Sequence, residues 1–285
     1  MDGEKYGLTG CEMKYMTFNS SCSYAGVANM LEQYGLDTGD RAIALAMKLP
    51  YLFTCCDGVY LSGPMLQTAQ WFNLYLHPVG YEMVEKTIPA DEVAEYLKTR
   101  KTAMLGIFTE EAGKHAVVYK GLEGDRLVFL NNKWETEESP EKIRLTAEEL
   151  RQRIDGEVAV ATVRRINPTA VDFREKLEAS ITALRANLEE ILALSQREAT
   201  VGALCGKLNT LFRPLFLDGI TMLNMIGEET LAAELSGLQR QLLQALRQEP
   251  DKRILLKEYV SANKLRGAAE KYMELIKLEL ERCEG

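Results

Sequence analysis

Ser20-Ser21-Cys22-Ser23-Tyr24-Ala25-Gly26-Val27-Ala28-Asn29-Met30-Leu31-Glu32-Gln33-Tyr34-Gly35 is the stretch whose reading decides the fold. Tyr24, Val27, Ala28 and Leu31 fall at helical spacing. Serines precede them and Gly35 follows, which are the start and stop signals of an α-helix. The spacing therefore predicts a helix that opens at or next to Cys22. The first turn of a helix collects unpaired N–H groups and a partial positive charge. Both stabilise a thiolate, and the same N–H groups can hold an oxyanion. Cys22 is thus a candidate nucleophile, with a capping or packing thiol as the alternative.

Outward from this helix the chain changes period. Residues 12–18 read as a short extended run. Residues 37–47 predict a second helix. Residues 64–76 predict a third, with Pro64 in its first turn, and Pro89-Ala90-Asp91 opens a fourth to about Lys98. Strands then follow at 102–109, 115–120 and 126–130, the last two joined by a Gly-containing link that suggests a hairpin. A short strand at 142–145, a helix at 146–154 and a strand at 157–165 complete the run. Helices first and strands later is an α+β order rather than a βαβ repeat.

His115 opens one of these strands, and the partner strand ends at Asn131-Asn132. In a hairpin these positions can lie side by side. A histidine acting as a base needs a third group to fix its tautomer. Asn131 is the candidate for that role, against the alternative of a turn asparagine beside a half-buried histidine. His77, which precedes Pro78, reads as a histidine at a helix C-terminus. Gln67 and Trp71 lie one helical turn apart, with core packing as their default role.

Asn167-Pro168 marks a boundary. Beyond it Leu177, Ile181, Leu184, Leu188 and Ile191 step by three and four, and similar stripes occupy 201–215 and 231–242. A fourth helix follows Pro250. These stripes predict an all-α, bundle-like domain, with Pro214 kinking or breaking its second helix. The domains expected are therefore 1–166 and 167–285.

The formal net charge is −8, and the basic and acidic side chains divide as 18 and 24 over residues 1–165 and 16 and 18 beyond. Neither half is a basic module, so nucleic acid is not an expected partner. No apolar run is long enough for a membrane span, and the first residues lack a signal-peptide pattern, so a cytoplasmic protein is expected. The six cysteines contain no C-x-x-C pair and there are two histidines. No metal site and no cofactor is expected from that set. Cys55-Cys56 reads as two small core residues rather than a vicinal disulfide. The acidic run 135–141 reads as a solvated loop.

The order of Cys at an early helix, His on a mid-domain strand and Asn closing the next resembles the papain-like cysteine fold. It is similar above all to bacteriocin-processing-type peptidases, through Ser21-Cys22-Ser23-Tyr24-Ala25 and Gly113-Lys114-His115-Ala116-Val117-Val118-Tyr119. Residues 20–53, with the helix pattern N-x-L-x-x-x-G, resemble the N-terminal domain of the butirosin-biosynthesis acyltransferase family. That resemblance implies a papain-like α+β domain of N-terminal helices and an antiparallel sheet, followed by a helical domain. It implies cysteine-dependent transfer of an acyl group from an acyl carrier protein or small-molecule thioester to an amine, or hydrolysis, in bacterial secondary metabolism. Catalytic Cys22, His115 and Asn131 would carry it. Two positions depart from the pattern. Ser21 stands where many members have His, and Met16 stands where papain-like enzymes have the oxyanion Gln. Asn19 is the alternative oxyanion donor, and a non-catalytic binding protein of the same fold is the alternative function.

Overall fold

The computed structural model describes residues 13–109 and 113–283. Along the chain run α1 (Cys22–Glu32), α2 (Asp40–Ala46), β1 (Phe53–Cys56), β2 (Val59–Ser62), α3 (Ala69–Leu76), β3 (Tyr81–Pro89), α4 (Val93–Lys98), β4 (Ala103–Thr109), β5 (Gly113–Glu123), β6 (Arg126–Asn131), β7 (Lys142–Leu145), α5 (Ala147–Gln152) and β8 (Glu157–Arg165). Then follow α6 (Arg174–Ser195), β9 (Glu198–Thr200), α7 (Val201–Cys205), α8 (Gly219–Met225), α9 (Glu229–Ala245), β10 (Arg253–Leu255) and α10 (Ala262–Arg282). The protein is mixed helix and sheet, in two compact units. One comprises residues 1–47 and 67–170, the other 48–66 and 171–285. Residues 48–66, which the sequence reading keeps with the first domain, group with the second.

The first unit is built on a six-stranded sheet in the order β3-β8-β4-β5-β6-β7, antiparallel throughout. Helices cover both faces, which is why β4 is apolar at nearly every position rather than alternating. On one face Val93 and Leu97 of α4 and Leu150 of α5 pack with Leu105, Ile107, Val117 and Phe129. On the other, α1 lies against β4 and β5. Tyr24 of α1 stacks edge-on between Phe18 and Phe72, at centroid distances of 5.6 and 4.9 Å. Each such buried ring contributes about 1.5–3 kcal/mol. Thr146 and Glu149 form a reciprocal cap on α5. Residues 13–18, expected to be extended, form no strand. They are tied by a single parallel bridge from Met16 to Trp134.

The second unit is mostly helical. It also holds two small antiparallel ribbons, β1–β2 and β9–β10, of which β9–β10 falls within residues 167–285, expected to be all-α. The β1–β2 turn is Asp57-Gly58, with φ values of 51° and 75°, the pairing a tight hairpin requires. Cys55 and Cys56 flank that turn and are both exposed, free thiols, not core residues. Neighbouring strand residues point to opposite faces, so the two thiols diverge. Pro214, expected to kink or break the second predicted helix, does not end it: the interruption lies at Gly206-Lys207, and from Leu208 the backbone runs through Pro214 as wide π-type turns over Leu208–Phe212 and Pro214–Asp218 and on into α8. Asp218 is fully buried, 3.0 Å from Arg213. Burial pushes its carboxyl up to about 6 against the pull of that guanidinium.

Candidate active site

The turn into α1 is fixed from outside the helix. Ser21 occupies the N-cap position but makes no side-chain cap. Its hydroxyl instead donates to Asp40 Oδ2 at 2.8 Å. The same carboxylate, 1 % exposed, accepts from the Thr17 amide and hydroxyl, each at 2.7 Å. Ser20 adopts a left-handed conformation, φ 54°, which turns the chain sharply onto the helix. Cys22 is the first helical residue and is partly exposed. Its neighbour Ser23 donates to Gln67 Oε1 at 2.9 Å.

The structure brings His115 to Cys22. Burial pushes the Cys22 thiol up, but the His115 side chain beside it, the Ala116 backbone and Ser23 together outweigh burial and bring it below its ordinary value. Burial pushes His115 down. The Cys22 sulfur, the Glu137 carboxylate and the Asn132 backbone outweigh that and hold it above its ordinary value. Opposite shifts on two adjacent groups favour a thiolate–imidazolium pair, which titrates as a unit.

Asn131 is placed differently. It stands opposite Val117, two residues along from His115. Its amide donates to the Pro140 carbonyl at 3.0 Å and to Ser139 Oγ at 3.3 Å. The neighbouring Asn132, fully buried, is the residue tied to the histidine's strand. Its Nδ2 donates to the Ala116 carbonyl at 3.0 Å, and its Oδ1 accepts from Asn29 of α1 at 3.1 Å. Asn29 also grips the backbone N–H and C=O of Lys14, each at 2.8 Å. Nε2 of His115 is buried and has no hydrogen-bond partner among the described residues. Asn19, the candidate oxyanion donor, is half-buried, and its Oδ1 accepts from the Ser20 hydroxyl at 3.4 Å.

His115 and Asn131 line one cleft of about 820 Å³ in the first unit, together with Lys133, Glu137, Pro140 and Arg153. The run 135–141 is a loop exposed at nearly every position, as expected, and its Glu137, Ser139 and Pro140 line the cleft. Asp40, Asn29, Asn132 and Glu137 are the site residues that sequence reasoning misses. The double asparagine at 131–132 is the one signal, since it offers an amide to each face of the strand end. Among the described residues no three His, Cys, Asp or Glu side chains converge as a metal site would need. Among the described residues no helix is long and apolar enough to cross a membrane.

No family model matches the chain, and no curated protein sequence matches it. Among solved structures, the peptidase domain of Streptococcus ComA, a bi-functional ABC transporter involved in a quorum-sensing pathway, is similar to part of it. The TM-score is 0.40 and the identity 14%, over 55% of this chain and 99% of that domain. A likeness of this size carries no residue's role across, so the site is read from its own side chains.

Proposed function

We propose that this chain is a cysteine-dependent acyltransferase or amide or thioester hydrolase, with Cys22 as nucleophile and His115 as acid–base. The observation that carries the reading is the pairing of a thiol at a helix start with an imidazole that lowers its pKa while its own is raised. The Cys22 thiolate attacks the carbonyl of an acyl thioester or amide. The acyl–sulfur bond forms, and the leaving thiol or amine departs with the proton from His115. An amine or water then attacks, His115 takes its proton, and the bond to Cys22 breaks. First-turn N–H groups of α1, with Asn19, would steady the oxyanion. Asn132, tied to the Ala116 carbonyl and with its backbone beside the imidazole, would set the orientation of His115, while Asn131, the sequence's candidate for that role, would hold the Pro140 wall of the cleft.

The resemblance to the butirosin-biosynthesis acyltransferases makes an acyl carrier or small-molecule thioester the donor and an amine the acceptor, in bacterial secondary metabolism. On that reading residues 1–166 form the papain-like catalytic domain, and residues 167–285, helical and bundle-like, would shape the acceptor site or dock the carrier. The unpartnered Nε2 of His115 favours a second reading, an inert cleft of the same fold that only binds. Intact-mass spectrometry after incubation with a panel of acyl thioesters separates the two. An acyl increment on the wild type that Cys22→Ala and His115→Ala abolish, and His77→Ala keeps, is the expected result. An unmodified wild type across the panel would leave the binding reading.

A further inference from the structure

The wall of the cleft holds a buried cation for which the chemistry above has no use. Lys133 follows the Asn131-Asn132 pair and is 5 % exposed. Its ammonium donates to the Glu137 carbonyl, and it lies 5.9 Å from the centre of the Tyr15 ring. A carbonyl and a ring face offset only part of what a desolvated ammonium loses, and no carboxylate pairs with it among the described residues. The cleft around it is positive although the chain is not. Its lining carries four cationic side chains, Lys133, Lys142, Arg153 and Arg144, the last paired with Glu123 at 2.7 Å, and two carboxylates, Glu137 and Glu149, whereas the whole chain carries a net −8. Both carboxylates are already engaged. Glu137 takes the Trp134 N–H at 2.7 Å, and Glu149 takes the Thr146 N–H at 2.7 Å and lies 3.3 Å from Arg126.

We infer that the cleft beside His115 binds a substrate carrying an anionic group, a carboxylate or a phosphate, with Lys133 as its anchor and Lys142 and Arg153 at the mouth. This rests on Cys22 being the nucleophile. The anion would complete the coordination of an ammonium that has donors to spare. It would also fix which carbonyl of the substrate reaches the sulfur.

The test uses alkylating reagents that share one reactive centre and differ in charge. N-iodoacetyl-glycine is compared with N-iodoacetyl-glycinamide, and N-iodoacetyl-phosphoethanolamine with N-iodoacetyl-ethanolamine. Cys22 labelling is read by peptide mapping, and each charged-to-neutral rate ratio is divided by that of free 2-mercaptoethanol. The expected normalised ratio is about fivefold or more in favour of the charged reagent in at least one pair. The pair that shows it distinguishes carboxylate from phosphate. Lys133→Met should bring that ratio close to one. Lys142→Gln, an exposed change that keeps the buried residues intact, should lower it about twofold. A ratio near one in the wild type, or one that neither variant moves, overturns the inference while leaving Cys22 as the nucleophile. Neutral reagents that label Cys22 no faster than Cys205 overturn the proposed function, and this inference with it.

Discussion

At the scale of single residues, the site turns on how two groups move each other's proton. Burial alone would keep Cys22 a thiol and His115 neutral. Their adjacency reverses both tendencies, lowering one pKa and raising the other. The sign fixes a pH dependence. Between the lowered Cys22 pKa and the ordinary thiol range near 8.5, Cys22 is a thiolate while an unperturbed cysteine is not. Iodoacetamide at mildly acidic pH should therefore label Cys22 ahead of the other described cysteines. In His115→Ala the burial remains and the largest of the groups that oppose it is gone, so the Cys22 pKa rises. Labelling below the ordinary thiol range should fall, in step with the lost thiolate fraction, and recover toward the wild-type rate once the pH exceeds the raised pKa. Asn131→Ala, whose amide holds Pro140, should leave the low-pH rate within about twofold. Asn132→Ala should lower it and cost about 1–3 kcal/mol, because it strips the Ala116 carbonyl and Asn29 of their partner. Equal effects of the two asparagine changes on the labelling profile would refute this division of roles.

At the scale of elements, the difference between those asparagines comes from one bulge. β5 and β6 pair as Leu122 with Leu127 and Gly121 with Val128 near their turn, then slip by one residue between Tyr119 and Gly121. Gly121 sits at φ 129°, a conformation that glycine tolerates and other residues rarely adopt. A one-residue slip exchanges the faces of everything beyond it. With the slip, Asn131 pairs with Val117 and shares the face of His115. Without it, Asn132 would. The spacing of His115 and Asn131 is legible in the sequence, as are α1, the strands after residue 102 and the leucine stripe of α6. The bulge is not, because no local pattern marks Lys120-Gly121 as different from any Gly-containing turn. β3 escapes the sequence reading for a related reason. Its exposed stretch at Val84–Thr87 interrupts the apolar alternation, and its pairing partner β8 lies some seventy residues away. Gly26 gives the element scale its test. A Cβ there would meet Met104 Sδ at 2.5 Å and Asn132 Nδ2 at 2.8 Å. Helix propensity alone would make Gly26→Ala stabilising by about 1 kcal/mol. Overpacking against the sheet should outweigh that by costing about 1–3 kcal/mol. Thermal unfolding should show a lower Tm, and low-pH labelling of Cys22 should slow. A higher Tm would mean that α1 does not approach the sheet as closely as described.

At the scale of the whole chain, residues 48–66 leave the first unit's sequence and pack into the second. The sequence could not show this, because nothing in its composition separates Leu49–Ser62 from the helices around it. The contacts are explicit. The Ser180 hydroxyl holds both the N–H of Phe53 at 3.0 Å and its C=O at 3.2 Å. The Tyr272 hydroxyl donates to the Pro50 carbonyl at 2.8 Å, and its ring meets Phe53 edge-on at 5.2 Å. The Ser62 hydroxyl donates to the Pro214 carbonyl at 2.8 Å. Leu49, Leu52 and Phe53 are 0, 0 and 3 % exposed. Each such side chain contributes about 1.5–3 kcal/mol by burial, and the second unit's helices beyond residue 171 supply that cover. A chain ended at Ala170, near the boundary that the sequence suggests, would keep this segment and remove the helices it packs on. Such a chain should bind 8-anilinonaphthalene-1-sulfonate strongly and aggregate. The same chain with residues 48–66 replaced by a short Gly-Ser linker should bind the dye weakly and stay monomeric, as judged by size-exclusion chromatography. If both truncated chains bind the dye equally, the segment does not belong to the second core, and a single boundary near Asn167 describes the chain after all.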